Sequence, residues 1–154
     1  MTDTPTHAWH VYLAGEIHSD WRQRIETGAA ERNLPVCFSA PVTDHAASDA
    51  AGSAILGEEA SSFWNDHNAA RINAIRIRRA IESADVVVVR FGPKYKQWNA
   101  AFDAGYAAAL GKPIITLHDA EHDHALKEIN AAASATCREP GQVVDLLAYV
   151  LTQK

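Results

Sequence analysis

Apolar residues fall in five short runs along the chain, separated by longer stretches with helical spacing. The runs are His10–Leu13, Leu34–Phe38, Val86–Phe91, Pro113–Leu117 and Ala135–Arg138. All are of strand length. Val86–Val89 is four consecutive valines, which reads as a strand covered on both faces, since a half-solvated strand alternates with polar residues. The stretches Ser19–Arg32, Asn68–Ser83, Asn99–Leu110 and Gly141–Thr152 carry the helical pattern. In Asn68–Ser83 and just beyond, Ala70, Ala74, Ile77, Ile81 and Ala84 share one stripe. Asn33 and Gly111 stand where helices should stop, and Asn99 stands where one should be capped. Gly105, inside a helix at a cost of roughly 1 kcal/mol relative to alanine, suggests close packing on the sheet. Alternating strands and helices predict an α/β three-layer sandwich with a parallel sheet.

Such a sheet takes its ligand beyond the carboxyl ends of its strands. Three loops lie there: Ala14–His18, Ser39–Asp49 and Gly92–Asn99. The stretch 40–68 is rich in Ala, Ser, Asp and Gly, with at most a helical hint at Ser53–Glu59. It reads as a long loop or flap over the ligand site within a single domain spanning 1–154; a surface insertion is the plainer alternative.

Composition narrows the function classes. A formal net charge of -5 disfavours sequence-independent binding to nucleic acid or to an anionic membrane surface. No apolar run is long enough to span a bilayer and no signal peptide is visible, so the expected location is cytoplasmic. Cys37 and Cys137 stand apart from any Cys-x-x-Cys pair and read as reduced, buried thiols. A small-molecule ligand fits this profile best.

The candidate chemistry centres on the Asn99–Gly111 helix, where Asn99, Asp103 and Tyr106 share one face. Near the positive end of a helix, Asp103 is expected to stay ionised, as a nucleophile or stabilising carboxylate must; an ordinary solvated helix-start acid is the plainer reading. Glu16 follows the first strand directly, with His18 two residues on. In an aromatic-walled pocket its pKa would rise and it would act as an acid; otherwise it caps its own loop. His45 and Asp49 follow the second strand. Tyr12, Tyr95 and Trp98 offer flat faces on which a base can stack, although most such rings are core. Lys94 and Lys96 flank Tyr95 and are phosphate candidates or solvated lysines. The run His118–His124 has metal-ligand residue types, but no His-Glu-x-x-His helix or cysteine pair supports it, and no metal is assigned.

Several segments resemble a known superfamily in order and spacing: Val11–Gly15 (Val-Tyr-Leu-Ala-Gly), Ala84–Val89 (Ala-Asp-Val-Val-Val-Val) and Asp103–Pro113 (Asp-Ala-Gly-Tyr-Ala-Ala-Ala-Leu-Gly-Lys-Pro). They are similar to the nucleoside 2-deoxyribosyltransferases. Tyr12–Ser19 and Gly92–Asn99 resemble, more narrowly, the YtoQ family. The resemblance implies a flavodoxin- or Rossmann-like five-stranded parallel sheet in the order 2-1-3-4-5. It also implies a nucleoside or nucleotide ligand, no cofactor, and a homodimer or larger assembly. In the implied reaction a carboxylate attacks the anomeric carbon, the base departs, and a second base or water resolves the glycosyl-enzyme. The resemblance puts the nucleophile at Asp103; the residues' own placement adds Asn99, one turn earlier, to orient it and Glu16, at a strand's carboxyl end, as acid. Tyr12 or Tyr106 would tune the nucleophile, and Gly15, His18, His45, Asp49, Tyr95 and Trp98 would contact substrate. The chain departs from the family pattern in three places. Asp103 replaces a glutamate, Ile77 occupies the place of a second carboxylate, and Gly15-Glu16 stands where Gly-Pro is common. A non-catalytic nucleotide-binding module on the same fold is the competing reading.

Overall fold

A computed structural model of the chain describes residues 7–153. Five parallel strands form one sheet: β1 (Trp9–Gly15), β2 (Val36–Ser39), β3 (Val86–Phe91), β4 (Ile114–His118) and β5 (Ala135–Cys137). Their order is 2-1-3-4-5, as expected. The alternation of side chains along β1, β3 and β4 divides the core in two. Val11, Leu13, Val86, Val88, Ile115 and Leu117 face helices α1 (Trp21–Glu31) and α6 (Pro140–Thr152). Tyr12, Ala14, Val87, Val89 and Ile114 face α3 (Ser62–Ser83) and α4 (Trp98–Ala109). The four valines are therefore buried on both sides.

The stretch expected as a long loop is mostly helix. α2 (His45–Leu56) begins at Asp44, whose carboxylate accepts from the Ala47 N–H, and α3 begins at Ser61, whose hydroxyl accepts from the Trp64 N–H. The two helices pack closely: a Cβ on Gly52 would lie 2.8 Å from the Ala69 nitrogen. The Asn73 amide donates across to the Ser48 carbonyl. Only Gly52 of α2 is buried, so the sequence carries no apolar stripe to announce this helix. The short α5 (Lys127–Ala132) was likewise unannounced.

Three local expectations need correction. Cys37 is exposed rather than buried, because it lies on the edge strand β2. Asn99 is the second residue inside α4 and Gln97 is the cap. Gly105 does not pack on the sheet: it lies on the exposed side of α4, with open space where a Cβ would stand. Asn33 and Gly111 do stop helices, both with positive φ.

Gly15 fixes the top of the sheet. Its φ is +109°, and a Cβ there would lie 2.1 Å from the Arg90 carbonyl oxygen of β3. Gly15→Ala should cost at least about 3 kcal/mol or prevent folding, through backbone strain and a main-chain clash together. Gly105→Ala should do the opposite and stabilise by about 0.5–1 kcal/mol. Urea denaturation of the two variants checks both signs.

Candidate active site

Beyond the carboxyl end of β1, the chain is tied down by a buried arginine that no pattern in the sequence singles out. Arg22 of α1 donates to the carbonyls of Leu13 (3.0 Å), Gly15 (3.1 Å) and Glu16 (2.6 Å). The Trp21 indole donates to the Glu16 carbonyl as well. Burial pulls the Arg22 guanidinium down to about 10, still charged at neutral pH.

This anchoring turns the Glu16 carboxylate inward, where it is 5% exposed. It accepts from the Ser19 hydroxyl (2.6 Å) and the His18 N–H, and Arg90 Nε lies 3.5 Å away. Burial alone would raise its pKa, but the Ser19 and His18 hydrogen bonds and the Arg90 charge outweigh it, and the net direction is down. The expected raised pKa of a general acid is therefore not found. The carboxylate has too many donors to hold a proton. Gly92 leaves room for it, since a Cβ there would meet Glu16 Cγ at 2.6 Å.

Asp103 behaves in the opposite way. It is 9% exposed and accepts no hydrogen bond or ion pair from any described residue. Burial pushes its carboxyl up to about 6. The helix terminus was expected to keep it ionised. However, Asp103 is the sixth residue of α4, and a helix dipole acts mainly within the first turn. Beside it, the Tyr12 hydroxyl is buried without a partner among the described residues. Burial first, and the charge of Asp103 second, raise the Tyr12 pKa strongly, so this phenol stays protonated. The Tyr106 hydroxyl, by contrast, donates to Glu82 at 2.6 Å.

Asp103 opens into a cleft of about 550 Å³ between α2, α3 and α4. Asn99, Tyr106 and Asp49 line it too, along with Asp66, His67, Arg71, Ile77 and Arg78. The segment expected as a flap thus does wall this cleft, as helix rather than loop. Glu16, Tyr95 and Trp98 are not among its lining residues. Tyr95 and Trp98 border a second hollow of about 340 Å³ with Phe91, Lys96, His122 and Leu126. Tyr95 has a left-handed backbone (φ 64°), and its ring packs on His18 at 4.9 Å. Lys96 lies over the Trp98 ring. Gly15 serves the sheet, as described above, and His45 is occupied by Asp49 at 3.1 Å.

At the end of β4, His118 is fully buried, with ring nitrogens 2.9 Å from the Asp119 carbonyl and 3.0 Å from Asn130 Oδ1. Asp123 pairs with Arg138 at 2.6 Å. Among the described residues no three His, Cys, Asp or Glu side chains converge as a metal site would need. No described helix is long and apolar enough to cross a membrane.

A family model described as Nucleoside 2-deoxyribosyltransferase YtoQ matches residues 12–151. The chain belongs to this family. One YtoQ relative, an uncharacterized protein of Bacillus subtilis (strain 168), is 41% identical over 140 residues, covering 91% of this chain and 95% of its own. Among solved structures, the 2-deoxyribosyltransferase of Bacillus psychrosaccharolyticus matches with a TM-score of 0.54 at 16% identity, over 88% of this chain and 90% of that one. At that identity the likeness is one of fold.

The raised Asp103 pKa makes a stability prediction for this YtoQ-family protein. The folded state holds the proton more tightly than the unfolded chain does. Below about pH 4 both are protonated and there is no penalty. Between there and about pH 6 the penalty grows, and above that it levels off. A rise from 3.8 to about 6 corresponds to a cost of at most about 3 kcal/mol at neutral pH. Asp103→Asn should therefore raise the unfolding free energy by up to about 2–3 kcal/mol at pH 7.5 and hardly at all at pH 4. Denaturation curves at the two pH values measure the difference, and an equal effect at both would contradict it.

Proposed function

We propose that this protein breaks the N-glycosidic bond of a nucleoside or nucleotide, by hydrolysis or transfer, with Asp103 as nucleophile. The observation that carries the reading is the buried Asp103 carboxylate, which faces a 550 Å³ cleft and accepts no hydrogen bond or ion pair from any described residue, near a Tyr12 hydroxyl likewise without a partner among them. A lone buried carboxylate is costly to maintain. It becomes useful when positive charge develops against it, as at the anomeric carbon of an oxocarbenium-like transition state. Membership of the YtoQ family supports the same reaction class.

In the proposed reaction an Asp103 oxygen attacks C1′ as the C1′–N bond breaks. The bond's electrons pass to the base, which takes up a proton from solvent water in the open cleft. Water or a second base then attacks C1′ and releases Asp103. The Tyr12 hydroxyl, free of any other partner, donates to the carboxylate once substrate is bound and sets its angle. Asn99, one turn earlier on the same face of α4, orients the sugar. Glu16, ionised and outside the cleft lining, is not asked to protonate the base.

One observation favours a second reading. Ile77 lines the cleft at the place where a second carboxylate was missing from the sequence pattern. Without that acid, the fold would serve as a nucleotide-binding module. Incubation with a panel of nucleosides and nucleotides, followed by chromatography for free base, separates the two. The wild type should release base, and Asp103→Asn should lose on the order of a thousandfold or more in rate while still binding. The rate should also rise through about pH 6, as Asp103 loses its proton, and then level off. Tight binding with no base release by the wild type would establish the binding module instead.

A further inference from the structure

We infer that the Asp103 cleft is built for a phosphorylated ligand, a nucleoside 5′-monophosphate rather than a free nucleoside, with Arg71 and Arg78 of α3 holding the phosphate. The inference rests on the reading that this cleft is the nucleoside site, and it adds the substrate's charge state.

The starting point is where the cations are. The chain as a whole is acidic, with 14 basic residues against 19 acidic ones. Yet α3 carries Arg71, Arg76, Arg78 and Arg79 within nine residues, and no acidic residue lies between Asp66 and Glu82. None of the four makes an ion pair among the described residues, whereas Arg24, Arg32, Arg90 and Arg138 all do. Two of the four, Arg71 and Arg78, line the cleft that holds Asp103. They stand seven residues apart, on one face of α3. The small Ala74 lies between them and also lines the cleft.

A guanidinium without a protein carboxylate offers paired N–H donors that match phosphate oxygens. Two of them flanking an alanine leave a concave strip rather than a filled ridge. Two further acids line the cleft, but Asp49 is engaged by His45, and neither Asp49 nor Asp66 forms an ion pair with Arg71 or Arg78 among the described residues. The strip and Asp103 lie on facing helices across the same hollow. A ligand with one anionic group and one electrophilic carbon would match both. By contrast, Lys94 lines neither hollow, and Lys96 borders the other one, over the Trp98 ring.

The test is calorimetric titration of the full chain with a purine and a pyrimidine 2′-deoxynucleoside, their 5′-monophosphates, and 2-deoxyribose 5-phosphate. The proteins are wild type, the double variant Arg71→Gln/Arg78→Gln, and Arg79→Gln as a control outside the cleft lining, each checked by thermal melting. The wild type should bind a monophosphate at least about tenfold more tightly than its nucleoside. That ratio should fall to near one in the double variant and persist in Arg79→Gln. A wild-type ratio near one overturns the inference, and base release from the nucleoside would then leave the glycosidic reading standing. An advantage that survives in the double variant also overturns it, as does sugar phosphate binding as tightly as nucleotide, or no binding of any ligand. A ratio that collapses as expected, with no base ever released, supports the phosphate site and removes the glycosidic reading.

Discussion

The tightest constraint in the molecule is the approach of the end of β1 to β3. Gly15 lies against the Arg90 carbonyl at a distance that no side chain allows, and the Glu16 N–H donates to that same carbonyl at 3.1 Å. Everything above the sheet follows from this contact. It sets the direction in which the chain leaves β1, and Arg22 and Trp21 hold that direction by binding the carbonyls of Leu13, Gly15 and Glu16. With the main chain fixed, the Glu16 carboxylate has only one place to go. It fills the space that Gly92 leaves free and neutralises Arg90. Gly92, which makes that room, donates its N–H to the side chain of Gln97, the cap of α4.

Two buried carboxylates then show how environment assigns opposite roles to one chemical group. Glu16 has donors on every side and is kept ionised, so its charge is spent on structure. Asp103 has almost none, and burial makes its charge unwelcome. Near neutral pH the ionised Asp103 therefore lowers the stability of the fold. The neighbouring Tyr12 hydroxyl, equally unpartnered, marks the same place. Tyr12 packs in one core cluster with Val87, Val89, Ala100 and Ala104.

How far the sequence could be read depended on whether a residue's role was set by its near neighbours in the chain. The sheet was legible, because strands covered on both faces must be continuously apolar, and Val86–Val89 is; its strand order was implied by the family resemblance. The face shared by Asn99, Asp103 and Tyr106 was legible for the same reason, since helical spacing is a local property. The α2–α3 hairpin was not. Its contacts run through Gly52, Ser48, Asn68 and Asn73, small or polar residues that leave no hydrophobic period to detect.

The sequence by itself determined the class of fold, the family, and which carboxylates and aromatics stand at strand ends. Tertiary structure decided what those groups are. It made Glu16 an ion-paired strut and Asp103 a buried acid with a raised pKa, moved Tyr95 and Trp98 to a separate hollow, and lined the Asp103 cleft with arginines that form no ion pair among the described residues. The reason is that the state of a charge depends on what lies within a few ångströms of it from any direction, including Arg90 and Ser19 for Glu16 and an absence of donors for Asp103. Ser19 is close to Glu16 in the chain, but Arg90 comes from a distant strand, and no period in the sequence records that neighbour.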